Sequence, residues 1–382
     1  MRPLGAQEEG LDMKIAINAS IVDPFLSGLG IYAVHLFKEL AKLHDDVVVY
    51  TSHPEVCEVN SARFRRIGWR VQTSYGRMGH LRRLIWTQTV LPLRLLADRA
   101  TLLFSPLPEG MLLPTIPQVI VVHDLLPLRF PQEYPRQRYY FRSLVPAMLK
   151  RARAVVAVSE STKQDLQLFY DLRANAIQVV PGGYDQNRYR VGLLSQPIRQ
   201  HYGLPSYLLY VGNLLPHKNL HRLLQAFAPF SRKFPHTLVI AGRKDPRYYP
   251  PLEAEARALG VQERVRFLDY VPATDLAALY AAADAFVLPS LYEGFGLPIL
   301  EAMACGTPVI AAHTSSMPEV AGDAAMLVDP HDVPAISMAM ESALGNAGMR
   351  EGMRRRGLAR VTQFSWARTA LMILKILEKV AA

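Results

Sequence analysis

Short apolar runs alternate with longer segments of helical periodicity along almost the whole chain, and this alternation settles the fold class. In the first half the runs are Ile15 to Asn18, Val47 to Tyr50, Thr101 to Ser105, Gln118 to His123, Ala154 to Ser159 and Ile177 to Val180. Strands that alternate with helices predict α/β architecture, parallel sheets covered by helices on both faces. A glycine loop follows the first run, and an apolar-periodic helix is expected over Ile31 to Leu43.

After Pro181-Gly182-Gly183-Tyr184-Asp185 the pattern loosens, and the linker is expected at 191–204. Tyr207 to Gly212 then opens a second half, with strands expected at Thr237 to Ala241, Arg264 to Leu268, Ala285 to Leu288 and Pro308 to Ala311. Two doubly wound halves facing a cleft account for 382 residues better than one core does. Ligands of such sheets sit at the carboxyl ends of the strands. The expected boundaries are 13–190 and 205–364, with 365–382 an apolar-rich final helix. Residues 1–12 read as an upstream extension or a poorly ordered tail, because Met13 stands directly before a strand.

No apolar run reaches the roughly 18 residues of a membrane-spanning helix. Two cysteines, Cys57 and Cys305, are too few for a disulfide framework and point to a reducing, cytoplasmic setting. The net charge is +10, and nine arginines between Arg63 and Arg99 face a single acid, Asp98. Such a segment suits an anionic membrane surface, a lipid diphosphate, or simply a solvated face over a core helix. Leu81, Leu84, Ile85 and Gln88 share a helical face beside Arg82 and Arg83, with Trp86 nearby. Nucleic acid is not expected, since neither a helix-turn-helix nor a zinc spacing is present.

The densest chemistry lies in Glu293-Gly294-Phe295-Gly296-Leu297-Pro298-Ile299-Leu300-Glu301, closed by Ala302 to Pro308. Pro298 suits the first turn of a helix and Gly306 the left-handed residue that ends one. Glu301 is therefore expected on a short helix and Glu293 on the loop before it. Gly294 and Gly296 would let the backbone approach a ligand, and the helix start offers N–H groups to an anion. Lys218, in Gly212-Asn213-Leu214-Leu215-Pro216-His217-Lys218-Asn219, follows a strand and can reach a diphosphate. The Gly28-x-Gly30 pair, expected in the loop before the first helix, lacks the third glycine of a dinucleotide site. His123-Asp124 ends an apolar strand, as a cap or as a ligand contact. Ser159 reads as a helix cap.

The Glu293-to-Glu301 spacing, with Glu-Gly-Phe-Gly-Leu-Pro around it, resembles the Glu-x7-Glu signature of retaining glycosyltransferases with two Rossmann-like domains (the GT-B fold), a group that includes glycogen synthase and bacterial mannosyltransferases. The resemblance covers most of residues 13 to 382. It implies a C-terminal helix that crosses back to the first domain. It implies that Glu293 binds the sugar's hydroxyls with the amides of Phe295 and Gly296 close by, that Gly294 and Leu297 belong to the same nucleotide-sugar site, and that Glu301 holds the ribose. Lys218 would meet the diphosphate, His123 would line the sugar pocket, and the Gly28 and Gly30 loop would approach donor and acceptor. The family's arginine is replaced here by Asn213 or His217, so His217, or Arg243 from the next loop, is expected to help.

No Asp-x-Asp occurs in the chain, and a metal-free transfer without cofactor is expected. The lysine loop and Ser315-Ser316-Met317-Pro318-Glu319 look most like transferases that move mannose from a GDP-sugar, with a UDP-sugar next, to a saccharide or lipid-linked acceptor. Two rivals stand beside this reading: a nucleotide-sugar epimerase or hydrolase on the same scaffold, and a noncatalytic basic binding protein.

Overall fold

The computed structural model describes residues 13–24, 28–56, 62–68, 70–72 and 75–382. The first sheet contains β1 (Ile15–Asn18), β2 (Val47–Thr51), β3 (Arg63–Arg66), β4 (Leu102–Ser105), β5 (Gln118–Val122), β6 (Ala154–Ala157) and β7 (Ile177–Val179), in the order β3-β2-β1-β4-β5-β6-β7. The second contains β8 (Tyr207–Val211), β9 (Thr237–Ala241), β10 (Val265–Asp269), β11 (Ala285–Leu288), β12 (Val309–Ala312) and β13 (Ala325–Val328), in the order β10-β9-β8-β11-β12-β13. Every strand pair in both sheets is parallel.

Side chains two apart point to the same face of a strand. In the first sheet Ile15, Ile17, Val47, Val49, Leu102 and Phe104 share one core, while Ala16, Val48, Tyr50 and Leu103 enter another. Both faces are thus apolar and both are covered. The helix Trp366–Ala381 lies on the first of these faces, with Trp366, Ile373, Leu374 and Leu377 in that core and the helix Gly28–Leu43 beside it. Four large side chains buried this way contribute on the order of 6–12 kcal/mol. The chain's end is therefore tied to its first lobe.

Three local readings change. Gly28 and Gly30 sit in the first turn of the helix Gly28–Leu43, not ahead of it, and 25–27 lie outside the described residues. Arg63–Arg66 is an edge strand beside β2, where exposed arginines are compatible with a ladder on one side only. Within the expected linker, Ser195–Tyr202 is helical and Ile198 is buried in the second lobe's core. β13, with its half-exposed Ala325, Met326 and Leu327, had too weak an apolar signal to be read. β11 ends at Leu288, before Pro289, as the sequence implies. Cys305 is buried, and Cys57 lies outside the described residues.

Candidate functional site

The loop after β11 and the helix Leu297–Ala304 carry the centre of the site. Gly296 has φ +100° and Gly306 has φ +78°, both left-handed, so the helix is bounded by the two residues able to turn the chain there. Pro298 lies in its first turn. Glu293 precedes it on the loop. The ammonium of Lys218 lies 2.8 Å from both carboxylate oxygens of Glu293, and the two side chains are 13 % exposed each. Ser290 Oγ donates to the same carboxylate at 2.7 Å. Ser316 Oγ donates to the carbonyls of Glu293 and Phe295 at 2.9 and 2.8 Å, and the Glu293 N–H donates to Ser315 Oγ at 2.9 Å.

Lys218 ends the short turn Pro216–Lys218. Asn219, left-handed at φ 62°, donates from Nδ2 to the carbonyls of Pro289 and Pro330 at 3.0 and 2.7 Å. That buried amide ties the lysine turn to the glutamate loop, so the pair is positioned by backbone rather than by flexible side chains alone.

The first lobe meets this loop at the carboxyl ends of β5 and β6. Gly294 lies against His123: a Cβ there would sit 2.1 Å from the His123 carbonyl oxygen. Its lack of a side chain therefore serves contact between the lobes. Ser159 Oγ donates to the Gly294 carbonyl at 2.7 Å while also capping the helix Glu160–Tyr170. Tyr292 donates to Asp165 at 2.7 Å, and Arg129 pairs with the same carboxylate and lies 5.4 Å over the Tyr292 ring. Glu319 of the second lobe accepts the N–H groups of Glu160 and Ser161 at 2.8 and 3.0 Å.

His123 Nε2 donates to the Pro106 carbonyl at 2.8 Å, and the ring meets Tyr32 edge-on at 4.4 Å. Burial pushes its pKa down to about 4, so the ring is neutral and Nδ1 remains an acceptor. Asp124 does not orient this imidazole. Its Oδ1 accepts the Leu126 N–H at 3.0 Å, and burial raises its pKa to about 6. Lys218 opposes that rise across the interlobe boundary and Glu293 adds to it. Glu301, on the helix as expected, accepts from Tyr280 Oη at 2.9 Å, and burial raises its pKa to about 7 against the pull of Tyr280 and Tyr189.

The remaining residues are more dispersed. His217 is 1 % exposed, with Nδ1 2.6 Å from Glu133 and its ring beside Phe130 and Tyr134 of the first lobe. Burial depresses its pKa to about 3. Asn213 and exposed Arg243 line a pocket of about 350 Å³ with Leu215, Asp245 and Tyr248. Gly212 is pressed by Gly242, whose Cβ would fall 1.8 Å from the Gly212 carbonyl. Phe295 packs on Gly182 and Phe364, and Leu297 on the first lobe's core. Among the described residues no group of three or more His, Cys, Asp or Glu could hold a metal ion.

Residues 26–188 match the family model Glycosyltransferase Family 4, and residues 196–360 match Glycosyl transferases group 1. The chain belongs to the glycosyltransferases. An O-antigen chain mannosyltransferase B of Escherichia coli is 36 % identical over 257 residues, covering 65 % of this glycosyltransferase and 66 % of the relative. A serotype-specific mannosyltransferase of Escherichia coli is 30 % identical over 269 residues, covering 67 % and 33 %. The matched stretches span less than two thirds of these relatives' own lengths. Among solved structures, a sucrose-phosphate synthase from Thermosynechococcus elongatus shares the fold at TM-score 0.79 and 21 % identity, over 96 % of this chain and 99 % of that one.

Sequence reading missed Ser290, Asn219, Glu133, Tyr280 and the anchoring role of Ser316. Single hydroxyl and amide residues in loops carry no periodic signal. Ser315 to Glu319 had stood out only as a family-like segment.

Proposed function

We propose that this glycosyltransferase moves mannose, or a related hexose, from a GDP-sugar to a hydroxyl of a saccharide or lipid-linked acceptor in polysaccharide biosynthesis, with retention at the anomeric carbon and without a metal. The Lys218–Glu293 pair at the lobe boundary, facing the end of β5, supports this most. Lys218 would turn part of its charge to the diphosphate as the C1–O bond breaks and its electron pair leaves with the phosphate oxygen. Glu293 would hold sugar hydroxyls, its orientation kept by Ser290. The acceptor oxygen would bond to C1 on the same face, and its proton would go to the departing diphosphate. His123, neutral and with Nδ1 able to accept, would take a hydrogen bond from a sugar hydroxyl. Glu301 would hold the ribose. Asn213 and Arg243 would flank the nucleotide. Gly28 and Gly30, in the first turn of the helix Gly28–Leu43, would lie close to donor and acceptor.

The mannosyltransferase relatives favour mannose and hence GDP. Thermal shift with GDP, UDP, ADP and their sugars tests the donor, since a ligand that binds only the native state raises its melting temperature. No shift with any of them, in a folded sample, ends this reading. Turnover should persist in EDTA. Product formed equally fast without acceptor would favour a hydrolase or epimerase instead.

A membrane surface is the second part of the proposal. The helix Gly76–Ala97 buries Arg83, Trp86, Leu91 and Leu95, while Met78, Leu81, Ile85, Leu93 and Leu96 stay exposed on its other side beside Arg77, Arg82 and Arg94. Leu84 is half-buried, and Gln88 is tied to Gly110 and Leu112, so both belong to the inner side. Apolar residues flanked by arginines suit anionic headgroups at the cytoplasmic face. No helix among the described residues is long and apolar enough to cross a membrane. Sedimentation with phosphatidylglycerol vesicles but not phosphatidylcholine vesicles is expected; sedimentation with neither, or equally with both, rules it out.

A further inference from the structure

Near the amino end of the helix Gly76–Ala97 a charged cluster is built around a histidine that no part of the proposed donor site uses. Arg83 is 3 % exposed and holds Glu109 through Nε and Nη2, at distances from 2.6 to 2.9 Å. Its Nη2 also donates to His80 Nδ1 at 2.9 Å, whereas the Glu109 carboxylate stands 4.0 Å from that nitrogen. A guanidinium can only donate, so Nδ1 must be the acceptor and the neutral ring carries its proton on Nε2. The Tyr140 ring packs edge-on against the imidazole at 5.1 Å. The side chain is 40 % exposed, and Nε2 has no protein partner among the described residues. Burial and the Arg83 charge lower the imidazole's affinity for a second proton, against Glu109, which raises it.

The cluster lies at the carboxyl edge of the first sheet. Glu109 is in the loop after β4 whose Pro106 carbonyl holds His123, and whose Pro108 carbonyl accepts from Tyr140. Glu109 is three steps along the chain from Pro106, at most about 11 Å when extended. One short loop therefore positions both His123 and the group that fixes His80.

We propose that His80 Nε2–H is a fixed hydrogen-bond donor to a hydroxyl of the acceptor saccharide, with Arg83 and Glu109 as its positioning residues. This rests on the transferase reading above and identifies part of its acceptor side. A saccharide hydroxyl fits a neutral, outward N–H better than an anion does, since the cluster's own charges are already paired.

The test uses the full chain, GDP-mannose and α-linked mannotriose. His80→Phe keeps a ring against Tyr140 and removes the donor; His80→Gln restores an N–H. His80→Phe should raise KM for mannotriose about tenfold, the worth of one hydrogen bond of ordinary strength, while Kd for GDP stays within twofold. His80→Gln should recover at least a third of that loss. Nitrogen-15 spectra of the histidine rings should show the Nε2–H tautomer at His80. Unchanged KM in His80→Phe, no recovery in His80→Gln, an Nδ1–H tautomer, or no transfer to mannotriose by a wild-type chain that still binds GDP each overturns the inference. Failure of the wild-type chain to bind GDP sinks the transferase reading itself.

Discussion

Glu319 is the best place to test how the two lobes are held together. Its carboxylate reaches across the boundary to two backbone N–H groups at the start of the helix Glu160–Tyr170. Hydrogen bonds to a charged group contribute about 1.5–3 kcal/mol each when desolvated, and a carboxylate at a helix start adds about 0.3–1 kcal/mol. The lower ends of these ranges sum to about 3.3 kcal/mol; Glu319 is half-buried and the Glu160 bond is exposed, so solvent screening brings the pair below that, to about 2 kcal/mol. Glu319→Ala should then lower the ratio of closed to open forms about thirtyfold. The Glu319 main chain stays anchored, because its carbonyl accepts from Arg360 at 2.6 Å whatever the side chain. Glu319→Gln keeps an acceptor without charge and should lose about half as much. Small-angle scattering reads the outcome: a larger radius for Glu319→Ala, an intermediate one for Glu319→Gln. Superimposable profiles for all three, in folded protein, would show that this contact does not hold the lobes.

Three further perturbations follow from the same geometry. Lys218→Ala should cut turnover by about 10²–10³ and also destabilise the fold, since Glu293 loses its counter-ion; adding Glu293→Gln should return the melting temperature but not the activity. Gly294→Ala drives a Cβ into the His123 carbonyl and should cost about 1–3 kcal/mol in urea unfolding together with activity, whereas Gly28→Ala, with nothing among the described residues within 4 Å of the new Cβ, should be neutral or slightly stabilising. His217 is held neutral, with its folded pKa at about 3 below the unfolded value near 6.5. Between those values the unfolded chain takes up a proton that the folded chain refuses, so His217 makes stability fall as pH drops below about 6.5. Asp124, raised to about 6, acts in the opposite sense, losing stability as pH rises from about 4 to 6. Urea midpoints of His217→Gln should therefore fall less steeply on acidification than those of wild type, and identical slopes would refute the assignment.

Much of the architecture was legible because burial on both faces leaves a strong periodic mark. Tyr207–Val211, Thr237–Ala241 and Ala285–Leu288 are apolar apart from Thr237, and their limits were read to within a residue or matched. Arg63–Arg66 and Ala325–Val328 were not read, since one is an edge strand of arginines and the other is half-exposed. At the site, Glu293, Lys218 and Glu301 stood out by spacing, and the first two meet at hydrogen-bond distance. The face expected along Leu81 to Gln88 divides, with Leu81 and Ile85 exposed and Gln88 held inward, and Arg83 turns in to Glu109, a partner 26 residues away that no helical wheel can foresee.

Local sequence by itself determined the alternating parallel architecture, the helix bounded by Gly296 and Gly306, and the glutamates on either side of its start, since backbone preference and periodic burial act over a few residues. Tertiary structure alone decided that Gly294 serves contact with His123, that His217 answers Glu133, that Glu319 caps a helix of the opposite lobe, and which nitrogen of His80 bears the proton. Each of these depends on a polar or steric partner far away in the chain, and such a partner leaves no trace in local composition.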